Sequence, residues 1–136
     1  ASTIMEFSPV HPEQMAGLTH VYDALNFYLL AKTVNNDGEA VLVLIKSDGG
    51  VITDLIEPVP VPEGKLELRA CASECGTVQF SWKSQGSDWQ DIGDSQPLAL
   101  LTDEHCRGFT GAQFGMYVHD MTGLKAYADF KRFEVI

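Results

Sequence analysis

Residues 109–120 read FTGAQFGMYVHD, and this stretch decides the fold. Phe114, Met116 and Val118 take every second position, which is the spacing of a half-buried β-strand. After a Met-Thr-Gly turn, residues 128–130 predict a second strand that returns along the first. We therefore expect a closing hairpin whose two strands lie deep in the sheet system.

The loop in front of this strand is the predicted functional site. Phe109 is a large apolar residue between Gly108 and Thr110, and binding side chains concentrate on loops that a rigid sheet carries. Further along, His119 shares the parity of Tyr117, so we expect its side chain to point outward. The His119 side chain then either lines a groove or is simply solvated, and the sequence leaves both interpretations open.

The rest of the chain predicts many short antiparallel strands. Residues 35–38 read Asn-Asn-Asp-Gly and form the clearest hairpin turn, because glycine after Asn or Asp supplies the positive φ that tight turns need. Residues 40–46 are apolar on both faces, which indicates a central strand. Prolines alternate over residues 57–62, and such a segment suits a connector that crosses between sheets. Residues 97–105 lack the period of two and predict one short helical turn.

The last predicted strand changes parity along its length. Phe130 has one parity, whereas Phe133 and Val135 have the other, so the register must shift near Lys131. A β-bulge is the usual device for such a shift. Short strands at regular spacing, separated by Gly, Pro and Asn turns, predict an all-β fold built as an antiparallel sandwich. The length fits one domain, residues 1–136.

Charge excludes several classes of partner. The net charge is −10 with a pI near 4.6, and the nine basic residues are scattered, so we expect no nucleic-acid partner and no anionic membrane. No apolar run is long enough for a membrane span, and no export signal is visible. The compartment stays open, with a cytoplasmic location favoured over export.

The cysteines and loop carboxylates predict no metal site. Cys71 and Cys75 approach the spacing of zinc ligands, but no second Cys or His pair stands at the matching distance. A disulfide between the two is one interpretation, and reduced thiols are the simpler one, because Cys106 makes the count odd. No run of alternating Asp and Asn marks a calcium loop. We expect no cofactor.

Two carboxylates are candidates for a catalytic pair. Asp120 and Asp129 stand in otherwise apolar strands, as a general acid and base would. An Asp beside a Thr-Gly turn more often caps backbone amides, and we favour that interpretation. The sequence therefore predicts no catalytic residue in this chain.

Aromatic side chains are candidates for sugar binding, because a flat ring stacks on the C–H face of a pyranose. Trp82 shares the parity of Val78 and Phe80, so we expect it in the core. Trp89 follows a Ser-Asp turn and is expected at an exposed loop edge, although packing under that loop is an equal alternative.

An ordered set of short motifs covers nearly the whole chain. The motifs are Gln14-Met15-Ala16-Gly17-Leu18, Tyr22-Asp23, Asn26-Phe27-Tyr28, Phe80-Ser81 with Trp89, Leu101-Thr102-Asp103-Glu104, Phe109-Thr110-Gly111-Ala112, and Ala128-Asp129-Phe130 with Phe133. This set resembles the C-terminal concanavalin A-like β-sandwich of glycoside hydrolase family 43 β-xylosidases. The resemblance implies a jelly-roll sandwich packed on a five-bladed propeller that holds the catalytic carboxylates.

The resemblance also implies a function in xylan degradation. The chain would be an accessory domain that completes the pocket of the propeller for a xylo-oligosaccharide or an arabinoside. Phe109 and Thr110 match the Phe-Thr-Gly loop that reaches the pocket rim in such enzymes, and Trp89 and His119 are the further expected substrate-binding residues. Concanavalin-like sandwiches sometimes bind Ca²⁺, so that ion is the one metal the resemblance allows.

Two departures from the family qualify this expectation. The carboxylates of the propeller have no counterpart here, so we expect no hydrolysis by this chain alone. The sandwich of the family begins several strands before Ala1, so an uncovered apolar face should remain and favour self-association into a homo-oligomer. The alternative function is a free-standing, lectin-like carbohydrate-binding module.

Overall fold

The computed structural model describes residues 1–106 and 111–135. Its strands are β1 (Ser2–Phe7), β2 (Gln14–Asp23), β3 (Asn26–Val34), β4 (Ala40–Asp48), β5 (Val51–Asp54), β6 (Val59–Pro60), β7 (Leu66–Ala72), β8 (Thr77–Ser84), β9 (Gln90–Pro97), β10 (Gln113–Asp120) and β11 (Ala128–Glu134). A 3-10 turn, Leu98–Leu101, and a short helix α1, Asp103–Cys106, stand between β9 and β10. Within the described ranges, no helix is long and apolar enough to cross a bilayer.

The strands form two antiparallel sheets. One has the order β11-β1-β7-β8-β9 and is called the five-stranded sheet here. The six-stranded sheet has the order β10-β2-β3-β4-β5, and β6 pairs with β4 beside β5. The predicted antiparallel β-sandwich is confirmed. That further strands of this sandwich lie upstream of Ala1 stays a prediction.

The core fills the space between the two sheets. Its buried members alternate along the strands, as the period of two requires: Met5, Phe7, Ala16, Leu18, Tyr28, Leu30, Leu42, Leu44, Leu66, Leu68, Ala70, Val78, Phe80, Trp82 and Ile92. Trp82 is among them, as predicted from its parity. Burying each large apolar side chain contributes roughly 1.5–3 kcal/mol, so this layer holds the sheets face to face.

Several local predictions are confirmed. Gly38 closes the β3–β4 turn with φ of 78°, and Asn35 Oδ1 accepts from the amides of Asp37 and Glu39, both at 2.9 Å. β4 is an internal strand, with β3 on one side and β5 and β6 on the other. The proline-rich segment leaves the six-stranded sheet at β6 and enters the five-stranded sheet at β7, which is the predicted crossover.

The predicted register shift in the last strand is present. Met5 pairs with Phe130, but its neighbour Ile4 pairs with Arg132, so Lys131 is the extra residue of a β-bulge. The bulge lets Phe130 and Phe133 both pack on the core although their parity differs.

The predicted closing hairpin is wrong. β10 pairs with β2 at the edge of the six-stranded sheet, whereas β11 pairs with β1 at the edge of the five-stranded sheet. The two strands therefore lie on the same side of the sandwich in different sheets. Neither lies deep: Met116 and Val118 point inward beside Leu18 and Ala16, yet they are 50% and 47% exposed. An edge strand has a neighbour on one side only, so its inward side chains stay partly uncovered.

Candidate functional site

The candidate site is the segment that joins α1 to β10. Phe109 and Thr110, its predicted substrate-binding residues, lie outside the described residues. The structure describes the two stems from which the segment leaves and to which it returns. The first stem is α1, and the second is the start of β10 with Gly111, whose φ of 73° falls in the left-handed region that favours glycine.

A side-chain hydrogen bond anchors the first stem to the six-stranded sheet. His105 Nε2 in α1 donates to Asp48 Oδ1 at the end of β4, at 2.8 Å. Cys106 adds a contact from its Sγ to the carbonyl of Leu100, at 3.3 Å. α1 is a single turn and cannot hold its position by itself, so these contacts fix where the segment begins.

A ring stack anchors the second stem. Phe114 in β10 lies face to face with His20 in β2, with ring centroids 4.0 Å apart and planes at 18°. His20 is buried, and its Nδ1 has no hydrogen-bond partner among the described residues. Burial lowers the pKa of His20 to about 4, with a smaller effect of the positive amino terminus. The imidazole is therefore neutral at pH 7 and packs as a flat aromatic ring.

A polar cleft of about 240 Å³ opens beside the first stem. Its lining includes Tyr28, Lys46, Asp48, Gln96 and His105. The Tyr28 hydroxyl donates to the carbonyl of Pro97 at 2.7 Å, and burial, helped by the charge of Asp48, raises its pKa to about 12. Tyr28 thus stays protonated and ties β3 to the turn before α1, while Lys46, Asp48 and His105 offer polar groups to a ligand in the cleft.

The contact between Asp48 and His105 has no counterpart among the sequence predictions. Asp48 begins an Asp-Gly-Gly turn, and aspartate is common at such positions. The turn alone therefore accounts for the residue, and the sequence gives no reason to expect a side-chain partner for it. The pairing joins residues 57 positions apart. No local pattern in the chain marks such a contact.

His119 lies at the far end of β10 from the candidate segment. Its Nδ1 is 3.0 Å from the Tyr117 hydroxyl, and both side chains point away from the core, as their parity predicts. At about 3.4 Å per residue, His119 is roughly 20 Å along the strand from Gln113. A single sugar unit in contact with Gln113 therefore does not also reach His119.

Trp89 lies on the opposite face of the sandwich. It follows β8 and is half-buried against cations of the five-stranded sheet, with the Arg69 guanidinium 4.1 Å and the Lys83 ammonium 5.3 Å from its ring. Cation–π contact stabilises this arrangement and covers part of the ring. The structure does not bring Trp89 together with His119 or with the stems of the loop.

Asp120 caps a turn, as the favoured interpretation predicts. Its carboxylate accepts from the Thr122 amide at 2.8 Å, the Thr122 hydroxyl at 2.6 Å and the Ala126 amide at 2.7 Å. These hydrogen bonds, led by that from the Thr122 hydroxyl, lower the pKa of Asp120 to about 2. A carboxyl that stays ionised at neutral pH does not serve as a general acid. Asp129 is exposed on β11.

The cysteines and carboxylates form no metal cluster within the described residues. No group of three or more His, Cys, Asp or Glu side chains converges there. Cys71 and Cys75 are exposed and are not joined by a disulfide.

The sequence matches one family over the whole chain. Residues 1–136 match the family of beta xylosidase C-terminal concanavalin A-like domains. The chain belongs to this family. Among curated relatives, xylosidase/arabinosidase 43B of Humicola insolens is 34% identical over 145 residues, which cover 98% of this chain and 27% of that protein. The xylan 1,3-beta-xylosidase of a Vibrio species is 31% identical over 137 residues, with 98% and 26% covered.

Solved structures agree with this family membership. The crystal structure of xylan beta-1,4-xylosidase from Bacillus halodurans C-125 matches with a TM-score of 0.85 and 29% identity, covering 95% of this chain and 26% of that chain. This chain therefore spans about a quarter of the length of the relatives it matches. In those enzymes the family domain is the smaller part of a longer polypeptide.

Proposed function

We propose that this chain is the accessory domain of a xylan-degrading glycoside hydrolase and completes the substrate pocket of a five-bladed propeller catalytic domain in the same polypeptide. The substrate is a xylo-oligosaccharide or an arabinoside. The carboxylates of the propeller cleave the glycosidic bond. Residues 1–136 act as one domain whose task is to hold the Phe109 loop at the pocket rim.

The anchoring of the loop on both sides carries this proposal. His105 binds Asp48 on β4, and Phe114 stacks on His20 on β2, so both stems are fixed to one rigid sheet. A group that must stand at a fixed place in another domain needs such support, because small displacements of positioning groups cost rate. The family membership supplies the partner to which the loop is presented.

Phe109 would act by excluding water rather than by chemistry. An apolar ring at the rim covers one face of the bound sugar and strengthens the electrostatic interactions inside the pocket. Burying one ring contributes about 1–3 kcal/mol to binding of the substrate and transition state. Thr110, the next residue, would offer its hydroxyl to a sugar hydroxyl.

The test replaces Phe109 in the polypeptide that contains both domains. Phe109→Ala should lower kcat/KM for an aryl β-xyloside by about 5- to 150-fold, the rate equivalent of that burial energy. Phe109→Leu should recover part of the loss. Tyr127→Ala, at a position that is 78% exposed between β10 and β11, should leave activity unchanged. Wild-type activity in Phe109→Ala would refute a pocket-completing role.

We also propose that His119 and Trp89 contact the substrate, but outside the pocket that Phe109 completes. Each is remote from the loop stems, so each would touch only a longer xylan chain that extends beyond the pocket. His119→Ala and Trp89→Ala should therefore raise KM for long xylo-oligosaccharides and leave KM for an aryl xyloside unchanged. A KM for long xylo-oligosaccharides that stays at the wild-type value in either variant would remove that residue from the site.

The alternative is a free-standing carbohydrate-binding module. Such a module would bind xylo-oligosaccharides by itself, whereas a pocket-completing domain should show no measurable affinity alone. Isothermal titration of the chain with xylobiose and longer xylans separates the two functions. Millimolar or tighter binding would favour the module.

Self-association is a further proposal. β10 and β11 are both edge strands on one side of the sandwich, and Met116, Val118, Leu124 and Tyr127 are exposed on or between them. Unpaired edges beside apolar side chains favour pairing with another chain. Light scattering at high protein concentration tests this, and a strict monomer would refute it.

A further inference from the structure

The inward-facing side chains of β4 change from apolar to charged towards the end of the strand. Leu42 and Leu44 are fully buried in the core between the sheets. Lys46 and Asp48 follow at the same spacing of two, so they point to the same side of the sheet, and both are half-buried. Charged side chains seldom occupy inward positions unless they are paired or reach a solvent-filled space. The core therefore ends here, and a polar space begins between the sheets.

This space is the polar cleft of about 240 Å³ beside the first stem, and we call it the β4 cleft. Lys46 and Asp48 line it from β4, and Tyr28 lies directly opposite Lys46 on β3. Gln96 lines it from β9 in the five-stranded sheet, and His105 lines it from α1. Both sheets and the helix that leads to the candidate segment thus border the β4 cleft.

Three polar side chains of the β4 cleft are held in place by the protein and keep further binding capacity. Asp48 accepts from His105 through Oδ1, at 2.8 Å. The Tyr28 hydroxyl donates to a backbone carbonyl at 2.7 Å, and Gln96 Nε2 donates to a carbonyl of its own strand at 3.0 Å. A carboxylate, a phenol and an amide can each form more hydrogen bonds than these. A ligand would therefore meet groups that are already ordered, which lowers the entropy cost of binding.

Lys46 differs from these neighbours in the contacts of its ammonium group. Among the residues that the structure describes, none forms a hydrogen bond or an ion pair with Lys46. A half-buried charged group without a partner has lost part of its hydration and has gained no protein contact in exchange. A ligand hydroxyl that accepts from the ammonium would supply that contact. Lys46 is therefore the observation that points to a ligand in the β4 cleft.

The groups that converge on the β4 cleft suit one neutral sugar unit. They are an ammonium, a carboxylate, an amide and a phenol, which donate to and accept from hydroxyl groups. The charges of Lys46 and Asp48 offset each other, so an anionic ligand gains little from the cleft. At about 240 Å³, the cleft is smaller than the roughly 300 Å³ of the smallest drug-sized pockets, so it admits one sugar ring rather than several.

We propose that the β4 cleft binds the sugar unit of a xylo-oligosaccharide that follows the cleaved bond on the leaving-group side. This inference rests on the proposed function. There the pocket takes the terminal unit of the substrate, so a unit bound outside the pocket belongs to the leaving group. The β4 cleft is well placed for that unit, because α1 lines the cleft and leads directly into the candidate segment. Lys46 and Gln96 bind hydroxyl groups of this unit from the two sheets.

The preference between two substrates tests this subsite in the polypeptide that contains both domains. Xylobiose has a sugar as leaving group, whereas an aryl xyloside offers no hydroxyl groups there. Lys46→Met should lower the ratio of kcat/KM for xylobiose to kcat/KM for the aryl xyloside about tenfold, as the loss of one hydrogen bond to a charged group does. Gln96→Ala, which removes a neutral partner, should lower it about threefold.

The ratio responds to leaving-group binding and not to general damage, because a structural defect lowers kcat/KM for both substrates together. Lys131→Met is the matched control, since Lys131 is exposed on β11 and does not line the cleft. This variant should keep the wild-type ratio. A wild-type ratio in both Lys46→Met and Gln96→Ala would overturn the proposal. A wild-type ratio in only one of them would remove that residue from the subsite.

The subsite and the pocket-completing function fail separately. Loss of activity towards the aryl xyloside in Phe109→Ala, together with a wild-type ratio in Lys46→Met and Gln96→Ala, would retain the function and refute the subsite. A lowered ratio in these two variants, together with normal activity in Phe109→Ala, would do the reverse.

Discussion

The imidazole of His20 and the ring of Phe114 stack with their centroids 4.0 Å apart, and this contact joins β2 to the start of β10. A protonated imidazole would place a charge inside the sandwich. The stack therefore couples the support of the candidate loop to the protonation state of one buried residue.

The first prediction concerns the pH dependence of stability. Burial lowers the pKa of His20 from 6.5 to about 4, so between these values the unfolded chain binds the proton more readily than the folded chain. The stability that the neutral, buried imidazole of His20 contributes is fully present above pH 6.5 and is lost as the pH falls towards 4. His20→Phe keeps the stack and removes the titration. Relative to this variant, the wild type should lose about 1–2 kcal/mol of unfolding free energy across the window, after allowance for solvent screening.

Urea unfolding of both proteins at a series of pH values measures this difference. Carboxylates titrate at the lower end of the same range in both proteins and cancel in the comparison. A constant difference between wild type and His20→Phe at every pH would contradict the prediction.

The second prediction separates positioning from stability at the other stem. Asp48 and His105 have half-exposed side chains, so Asp48→Ala should lower the free energy of unfolding by at most about 1 kcal/mol. In the two-domain enzyme the same change should lower kcat/KM by about 3- to 10-fold, because the loop loses one anchor. Asp94→Ala, an exposed carboxylate on β9, is the control. Unchanged kinetics in Asp48→Ala would show that the hydrogen bond between Asp48 and His105 does not position the loop.

Local sequence patterns predicted much of the fold because their causes are local. The period of two marked the strands, and the change of parity between Phe130 and Phe133 located the bulge at Lys131. The same period did not identify the partner of β10. The alternation of apolar residues along β10 is compatible with any neighbouring strand that also has one apolar face, so it does not specify the partner. The short turn after Asp120 suggested a hairpin, but the chain instead passes from one sheet to the other.

The candidate site was less predictable for the same reason. The motif around Phe109 was visible in sequence, but its supports are contacts between distant residues, such as His105 with Asp48. Residues 40–46 are apolar on both faces, and in the structure both sides of β4 are largely buried. That pattern indicated a strand buried on two sides without showing what buries the second side.

The third prediction concerns Gly17 in β2. A Cβ placed there would lie 1.9 Å from the carbonyl oxygen of Leu30 and 2.7 Å from the Cα of Ala31, both backbone atoms of β3. The sheet cannot absorb such a contact without moving a strand, so Gly17→Ala should destabilise the chain by about 3 kcal/mol or more.

Gly115 is the matched control for Gly17, since it stands in β10 and a Cβ there meets only Thr19 Cγ2 at an ordinary 3.6 Å. Gly115→Ala should change the free energy of unfolding by less than about 1 kcal/mol. Chemical unfolding of the two variants measures both values. Equal effects would show that the close approach at Gly17 does not decide the packing of β2 on β3.

The fourth prediction concerns Lys32, a fully buried residue of β3. Its Nζ has no hydrogen-bond partner among the described residues, and its nearest charged oxygen is Glu63 Oε2, 3.9 Å away on a side chain that is 72% exposed. Burial lowers the pKa of Lys32, which means that the folded state disfavours the charge. Replacing an incompletely paired buried ion by an apolar side chain of similar volume often stabilises a protein.

Lys32→Met should therefore raise the free energy of unfolding by about 1–2 kcal/mol at neutral pH. The gain should shrink as the pH approaches the ordinary lysine value, because the neutral amine no longer opposes burial and wild-type stability rises. Lys131→Met, at the exposed bulge of β11, should change stability by less than about 0.5 kcal/mol. A Lys32→Met variant that is less stable than wild type would instead show that the Lys32–Glu63 pair stabilises the crossover between the two sheets.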